Sequence, residues 1–382
     1  MNCVLHTIGS LGSDKGGPSR TVPRLCAELR KDGRWAPQLI CTDPPGTCLS
    51  MPQALGLSAE CTGGGTRFWH TVGARLGAAP RAPAIVHDHG LWLASNAMAC
   101  VQALRRHALL VISPRGMLQA EAISHRSWKK RLAMAGYQGA LLRRASAFHA
   151  TSAAEIESLR RLGLRQPVLL LPNGVDLPAQ SLHQTAADGA RHALFLSRIH
   201  PHKGVIELLQ AWAALRPAGW RLTLAGPAEP AFRARVAELV AAMPADTQVS
   251  MHDAVADEDK WALFAAADLV VLPSRSENFG VVVAEALASA VPVITTTGTP
   301  WAQIPERGCG WYVAPDTVSL TAALRKATGM DSHTLSAMGE RGRRWMQSDF
   351  VWQGVGRRLA DGYDWLAGGQ PPDNVPSGFV VD

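Results

Sequence analysis

Between Ala267 and Leu272 the chain runs through a largely apolar stretch, turns at Pro273-Ser274-Arg275-Ser276, and continues from Asn278 to Ala288 in small and apolar residues. This reads as a buried strand, a turn and a helix. A strand that passes straight into a helix aims unpaired backbone N–H groups, and the positive end of the helix dipole, at whatever lies above the sheet edge. Such an arrangement suits an anion. Strand and helix signals alternate in this way twice over along the chain, with no tandem repeat. That predicts two doubly wound parallel sheets, each taking ligands at the carboxyl ends of its strands.

Glu277 and Glu285 stand eight residues apart. On one helix they would lie about 12 Å apart along the axis and roughly 80° apart around it. Such a pair cannot share a proton or a metal, but it can hold two ends of an elongated ligand. Alone, the spacing reads as a helix cap and an exposed glutamate; its surroundings reverse that preference. Pro273-Ser274, Glu277, Phe279-Gly280, the gap to Glu285, and Ala290-Val291-Pro292-Val293-Ile294 together resemble the signature of retaining glycosyltransferases of the family 4 type.

The resemblance implies the GT-B fold, in which two Rossmann-like domains face a cleft and a C-terminal helix crosses back to the first domain. The expected divisions are an acceptor-side domain over 1–185, a nucleotide-sugar-binding domain over 190–348, the crossing helix at about 350–367, and a loose tail over 368–382. Gly16-Gly17 closes a glycine-rich loop after the first strand. Its spacing fits neither Gly-x-Gly-x-x-Gly nor the P-loop, but it stands where the family lets backbone approach the donor phosphates. Arg198 and Lys203 follow the strand Ala193–Leu196 and occupy the positions where relatives clamp the donor diphosphate. By the same resemblance Glu277 hydrogen-bonds the donor sugar, Glu285 the ribose, and Asn278, Phe279 and Gly280 form the helix start that meets the diphosphate. His89, at the tip of the strand Ala84–Val86, is the polar residue nearest the ligand. Asn173, in Pro172-Asn173-Gly174-Val175-Asp176, lies where one domain hands over to the other. Many relatives carry a histidine after the strand Leu109–Ile112, where this chain offers Arg115; an arginine cannot act as a base but can bind a phosphate.

His87-Asp88-His89 invites a metal reading, because residues i and i+2 of a strand face the same way. No third ligand recurs nearby in sequence, so no metal is expected. Asp257-Glu258-Asp259 reads as an acidic first helical turn rather than a metal motif. Seven cysteines, never in Cys-x-x-Cys spacing, indicate neither a disulfide framework nor zinc. The net charge of +7 is uneven: residues 1–180 hold 21 Lys and Arg against 10 Asp and Glu, and residues 181–382 hold 17 against 21. Much of the surplus sits in 125–144, with Trp128 and Tyr137 among the cations, which suits an anionic membrane surface. No nucleic-acid motif accompanies the charge, and no apolar run is long enough to span a bilayer. The expected setting is cytoplasmic, with peripheral association at the inner face of the plasma membrane.

The expected activity is transfer of a sugar, with retention, from a UDP- or GDP-linked donor to a glycan or polyprenyl-linked acceptor in bacterial surface polysaccharide assembly. Arg198, Lys203 and the helix start supply the positive potential, and no cofactor or metal is called for. Two alternatives share the fold: a non-hydrolysing sugar-nucleotide 2-epimerase, and a catalytically silent glycan- or membrane-binding scaffold.

Overall fold

A computed structural model describes residues 2–12, 16–47, 49–78, 84–119, 122–123, 127–178, 189–257, 259–368 and 379–380. The chain divides into two compact units, residues 1–174 with 352–382, and residues 175–351. In the first, strands β1 (Asn2–Ile8), β2 (Trp35–Cys41), β3 (Ala59–Cys61), β4 (Ile85–His89), β5 (Leu109–Ser113), β6 (Ala147–Ala150) and β7 (Val168–Leu170) form a parallel sheet. In the second, β8 (Arg191–Leu196), β9 (Trp220–Ala225), β10 (Val249–His252), β11 (Leu269–Leu272), β12 (Val293–Thr296) and β13 (Gly310–Val313) form another. The spatial orders are β7-β6-β5-β4-β1-β2-β3 and β10-β9-β8-β11-β12-β13. Each is a doubly wound order that reverses direction once, between β1 and β4 in the first unit and between β8 and β11 in the second. Open sheets of this kind bind ligands at such switch points, outside the carboxyl ends of the strands.

Apolar residues recur on both faces of the central strands because helices cover both sides. Val4, Leu5, Ile85, Val86, Leu110 and Val111 are fully buried in the first unit, and Phe195, Leu222, Val270, Val271 and Ile294 in the second. The helix Trp352–Gly368 belongs to the first unit and packs on the helix Gly17–Asp32. Arg34 Nη1 donates to Asp361 and Asp364, each at 2.7 Å, and Trp35 Nε1 donates to Asp364 at 2.8 Å. Within the stretch expected to be a loose tail, Phe379–Val380 forms a short strand, β14, antiparallel to β7. An edge strand with unpaired backbone groups accepts such an addition readily. Residues 369–378 and 381–382, and residues 179–188 around the expected junction of the two domains, lie outside the described residues.

Two features of this framework are energetically expensive. Gly204 has φ 71°, and a Cβ there would overlap the Pro273 carbonyl. Gly204→Ala is expected to destabilise the second unit by about 1–3 kcal/mol from the left-handed backbone alone, with the clash in addition, read as a lower Tm.

In the first unit His6, His87, His89 and His149 are almost wholly buried among apolar strands. Burial, with the charge of Arg115 adding to it, holds the His6 and His149 imidazoles down to about 3. His87 and His89 are also held well below the ordinary histidine value, by burial first and neighbouring charges next. A group whose pKa falls on folding takes up a proton on unfolding anywhere between its two pKa values. Stability is therefore lost as pH falls from about 6.5 toward 3. Acid titration followed by circular dichroism should show unfolding coupled to uptake of up to four protons in that window. His149→Gln should make the transition shallower.

Candidate active site

The second unit's site residues gather at the β8/β11 switch point. Beyond β8 the chain makes a short 3₁₀ turn, Pro201–Lys203, closed by Gly204. Beyond β11, Pro273–Gly280 crosses in front of it. Arg275 N donates to the His202 carbonyl at 2.8 Å, Ser274 Oγ to the same carbonyl at 3.1 Å, and Arg275 pairs with Glu207. A third segment joins from β12: Glu277 N donates to the Gly298 carbonyl at 2.8 Å, and Thr296 Oγ1 donates to the Ser274 carbonyl. Gly298 lets this happen, since a Cβ there would strike the backbone of Ser274 and Arg275. The result is a direct ion pair between Lys203 and Glu277, both largely shielded. Residues 74 apart in sequence are thereby brought together.

Arg198 stands exposed after β8 and has no hydrogen bond or ion pair among the described residues. His200, in the same loop, is held below its ordinary value by burial first, then by the charges of His202, Arg198 and Lys203. His200 thus lies within reach of the charges of Arg198 and Lys203, the two cations singled out at this strand end.

The helix after the turn differs from the expectation. It runs Val281–Ala288, not from Asn278, because Gly280 at φ 73° and ψ 61° is left-handed and cannot extend it. Asn278, Phe279 and Gly280 thus form the lead-in, and Glu277 lies off the helix. The separation reckoned for Glu277 and Glu285 on a shared helix does not apply. Instead, Glu277 faces Lys203, and Glu285, 9 % exposed, accepts from Lys260 Nζ at 2.6 Å. Phe279 is buried, its ring 5.1 Å from that of Trp301, whose Nε1 donates to the Phe279 carbonyl at 2.6 Å. Its side chain shapes the turn from beneath.

In the first unit Gly16 (φ 92°) precedes the helix Gly17–Asp32, with Ser19 Oγ donating to its carbonyl at 2.7 Å. Both Gly16 and Gly17 are exposed, with open space where a Cβ would stand. Residues 13–15 of this loop lie outside the described residues.

His89 ends β4 beside the β1/β4 switch point. The expectation that no third ligand accompanies His87 and His89 is corrected: β1 carries His6 opposite His87 in register. The ligand-type atoms of His6, His87 and His89 all lie within 4.8 Å of one another, the one such group among the described residues. These imidazoles are occupied with each other and with neighbours. His6 Nδ1 and His89 Nε2 are 2.9 Å apart, His87 Nδ1 and the Tyr363 hydroxyl 2.6 Å, and His87 Nε2 and His149 Nδ1 3.3 Å. Arg115 Nη1 donates to Asn173 Oδ1 at 2.9 Å, and its Nη2 lies 3.2 Å from His89 Nδ1. Arg115, Asn173 and His89, picked separately from the sequence, are therefore one constellation. Asp88 points elsewhere, accepting from Thr7 Oγ1 at 2.6 Å and from Asn96 Nδ2, and burial lifts its carboxyl to about 8. His6, His149 and Tyr363 were not singled out from the sequence. The available signal was a polar residue within an otherwise apolar buried strand, at His6 and again at His149.

Comparison with known proteins agrees with this architecture. The pattern described as Glycosyl transferase 4-like domain matches residues 16–174, and that described as Glycosyl transferases group 1 matches residues 181–345. An MMP alpha-(1->4)-mannosyltransferase of Mycolicibacterium hassiacum is 31% identical over 169 residues, which cover 43% of this chain and 40% of that one. A GDP-mannose:cellobiosyl-diphosphopolyprenol alpha-mannosyltransferase of Xanthomonas campestris is 23% identical over 380 residues, covering 94% of this chain and 96% of that protein. Among solved structures, Anabaena HepE in complex with UDP-glucose aligns with a TM-score of 0.74 at 17% identity, covering 95% of this chain and 100% of that one. With two doubly wound units and a match to one family pattern over each, the chain belongs to the family 4 type of GT-B glycosyltransferases, enzymes that use nucleotide sugars.

Proposed function

We propose that this enzyme transfers a sugar, with retention at the anomeric carbon and without a metal ion, from a UDP- or GDP-linked donor to a glycan or polyprenyl-linked acceptor in bacterial surface polysaccharide assembly. The observation that carries the reading is the Lys203–Glu277 pair at the second unit's switch point, with Arg198 beside it. As the glycosidic bond breaks, negative charge accumulates on the leaving diphosphate. Cations already fixed where that charge develops lower the barrier without reorganising. Arg198 and Lys203 supply them, and the N-terminus of the helix Val281–Ala288 adds backbone N–H groups. Glu277 steers the Lys203 ammonium and offers its carboxylate to hydroxyls of the donor sugar, while Glu285 takes the ribose. Retention follows a same-face route in which the departing phosphate oxygen takes the acceptor's proton.

The acceptor side is built around His89, Arg115 and Asn173. A lipid-linked acceptor is supported by the segment from Ser127, where Trp128 is 59% and Leu132 64% exposed beside Lys129, Lys130 and Arg131. Apolar side chains flanked by cations suit an anionic membrane surface. Residues 124–126 of this segment lie outside the described residues, and among those described no helix is long and apolar enough to cross a membrane.

The decisive experiment begins with thermal-shift screening of UDP- and GDP-sugars to identify the donor. Lys203→Ala should then lower turnover of that donor by about two to three orders of magnitude, with the circular dichroism spectrum intact. Turnover close to wild type would remove Lys203 from the mechanism. Activity abolished by chelator and restored by a divalent ion would overturn the metal-free step.

A further inference from the structure

Four buried histidines of the first unit, with Arg115 and Tyr363, form one chain of hydrogen bonds whose direction is set by its two ends. A guanidinium only donates and a carbonyl oxygen only accepts. Arg115 Nη2 donates to His89 Nδ1 at 3.2 Å, so the His89 proton sits on Nε2, which donates to His6 Nδ1 at 2.9 Å. His6 is then protonated on Nε2 and points it at the Tyr363 oxygen, 3.4 Å away. The Tyr363 hydroxyl proton goes to His87 Nδ1 at 2.6 Å. His87 Nε2 donates to His149 Nδ1 at 3.3 Å, and His149 Nε2 to the Leu171 carbonyl at 3.0 Å. One tautomer satisfies each ring, and all eight ring nitrogens are used. Every imidazole is neutral in this scheme.

The chain grips Arg115 without neutralising it. The two acceptors of the guanidinium, His89 Nδ1 and Asn173 Oδ1, are both uncharged. Glu155, the carboxylate whose charge bears most on it, receives Gly116 N at 2.6 Å and Thr151 N at 2.7 Å. Arg115 Nε is buried with no partner among the described residues. The same holds for Ser113 Oγ, Ser152 Oγ and Trp92 Nε1. These four groups follow or end three neighbouring strands, β4, β5 and β6, at their carboxyl edge. Trp92 (φ 76°) and Arg115 (φ 53°) are also two of the few described non-glycine residues with left-handed backbone, a strain that concentrates where ligands bind. Orphaned donors on the same strand edge as an unneutralised cation describe a place for an anion.

We propose that Arg115, with Ser113, Ser152 and Trp92, is a recognition site for a phosphate-class group on the acceptor, and that His6, Tyr363, His87 and His149 are positioning residues that hold its guanidinium through His89. The proposal rests on the reading of this edge as the acceptor side, and it extends that reading to the acceptor's charge. A metal bound by His6, His87 and His89 is disfavoured because His6 and His89 already bond each other, His87 bonds Tyr363 and His149, and a fixed cation adjoins them.

The experiment uses the full chain carrying Arg198→Ala and Lys203→Ala, which silences the donor edge, titrated calorimetrically with inorganic phosphate and, separately, with acetate. One phosphate site should remain, stronger than for acetate, and Arg115→Gln added to that background should weaken it by about tenfold to a hundredfold. Arg115→Lys should recover only part of the loss. Equal phosphate binding with and without Arg115, or acetate binding as strong as phosphate, overturns the assignment. For the positioning chain, histidine ¹⁵N spectra should show all four buried rings protonated on Nε2, and Tyr363→Phe should disturb His6 and His87 and weaken phosphate binding in a chain that still folds. A different tautomer pattern, unchanged binding in Tyr363→Phe, or stoichiometric zinc that is lost in His6→Gln would overturn that role. Because phosphate binding needs no turnover, its failure is distinguishable from failure of the transferase reading, which the donor assay tests separately.

Discussion

Backbone-to-backbone contact is the constraint on which the second unit's chemistry depends. The Pro273 carbonyl occupies the space a side chain at position 204 would need, and the backbone of Ser274 and Arg275 does the same at position 298. Two glycines therefore let the segments after β8, β11 and β12 touch, and only that contact brings Lys203 to Glu277. Both partners are largely shielded, so their attraction is screened less than that of a surface pair. Neither has to search for the other. The Lys203–Glu277 pair is in this sense a by-product of close packing at three strand ends.

The first unit meets the opposite requirement. It buries four imidazoles of its sheet strands, and the phenol of Tyr363 from the helix Trp352–Gly368, in a largely apolar interior. Bare polar groups there would be costly to bury, and protonated imidazoles more so. The hydrogen-bond chain removes that penalty by giving every nitrogen a partner while keeping every ring uncharged. It also reaches the helix Trp352–Gly368 through Tyr363, so the last helix is tied to the polar interior as well as packed on the outside by Arg34 and Trp35. A polar core of this kind fixes one arrangement where an apolar one would tolerate several.

Much of this was legible in the residues. Alternating strand and helix signals gave the doubly wound units, and Glu277, Phe279-Gly280 and Glu285 with their setting gave the family. What the sequence hid was what depends on packing between distant segments. Glu277 and Glu285 looked like two positions on one helix because nothing local says that Gly280 turns left-handed. The contact of Lys203 with Glu277 depends on adjacency of β8 and β11, which the order of strands in sequence does not reveal. His87 and His89 have no third partner near them in sequence, because His6 lies at the start of the chain and reaches them only through the register of β1 with β4. Even Phe379–Val380, in a stretch rich in proline and glycine, found a place because β7 had an open edge.

The division of the chain has a further implication. The second unit leaves the first after Gly174 and returns at Trp352, and its own two ends, Val175 and Val351, are bridged side by side. Gly174 lacks a side chain at the spot the Trp352 ring fills, so the first unit's cut ends also meet. Topologically the second unit is a cassette inserted into a continuous partner, with one entry and exit point. It can thus be exchanged as a block, by recombination or by design, while the strands that carry the buried imidazoles stay in their original connectivity.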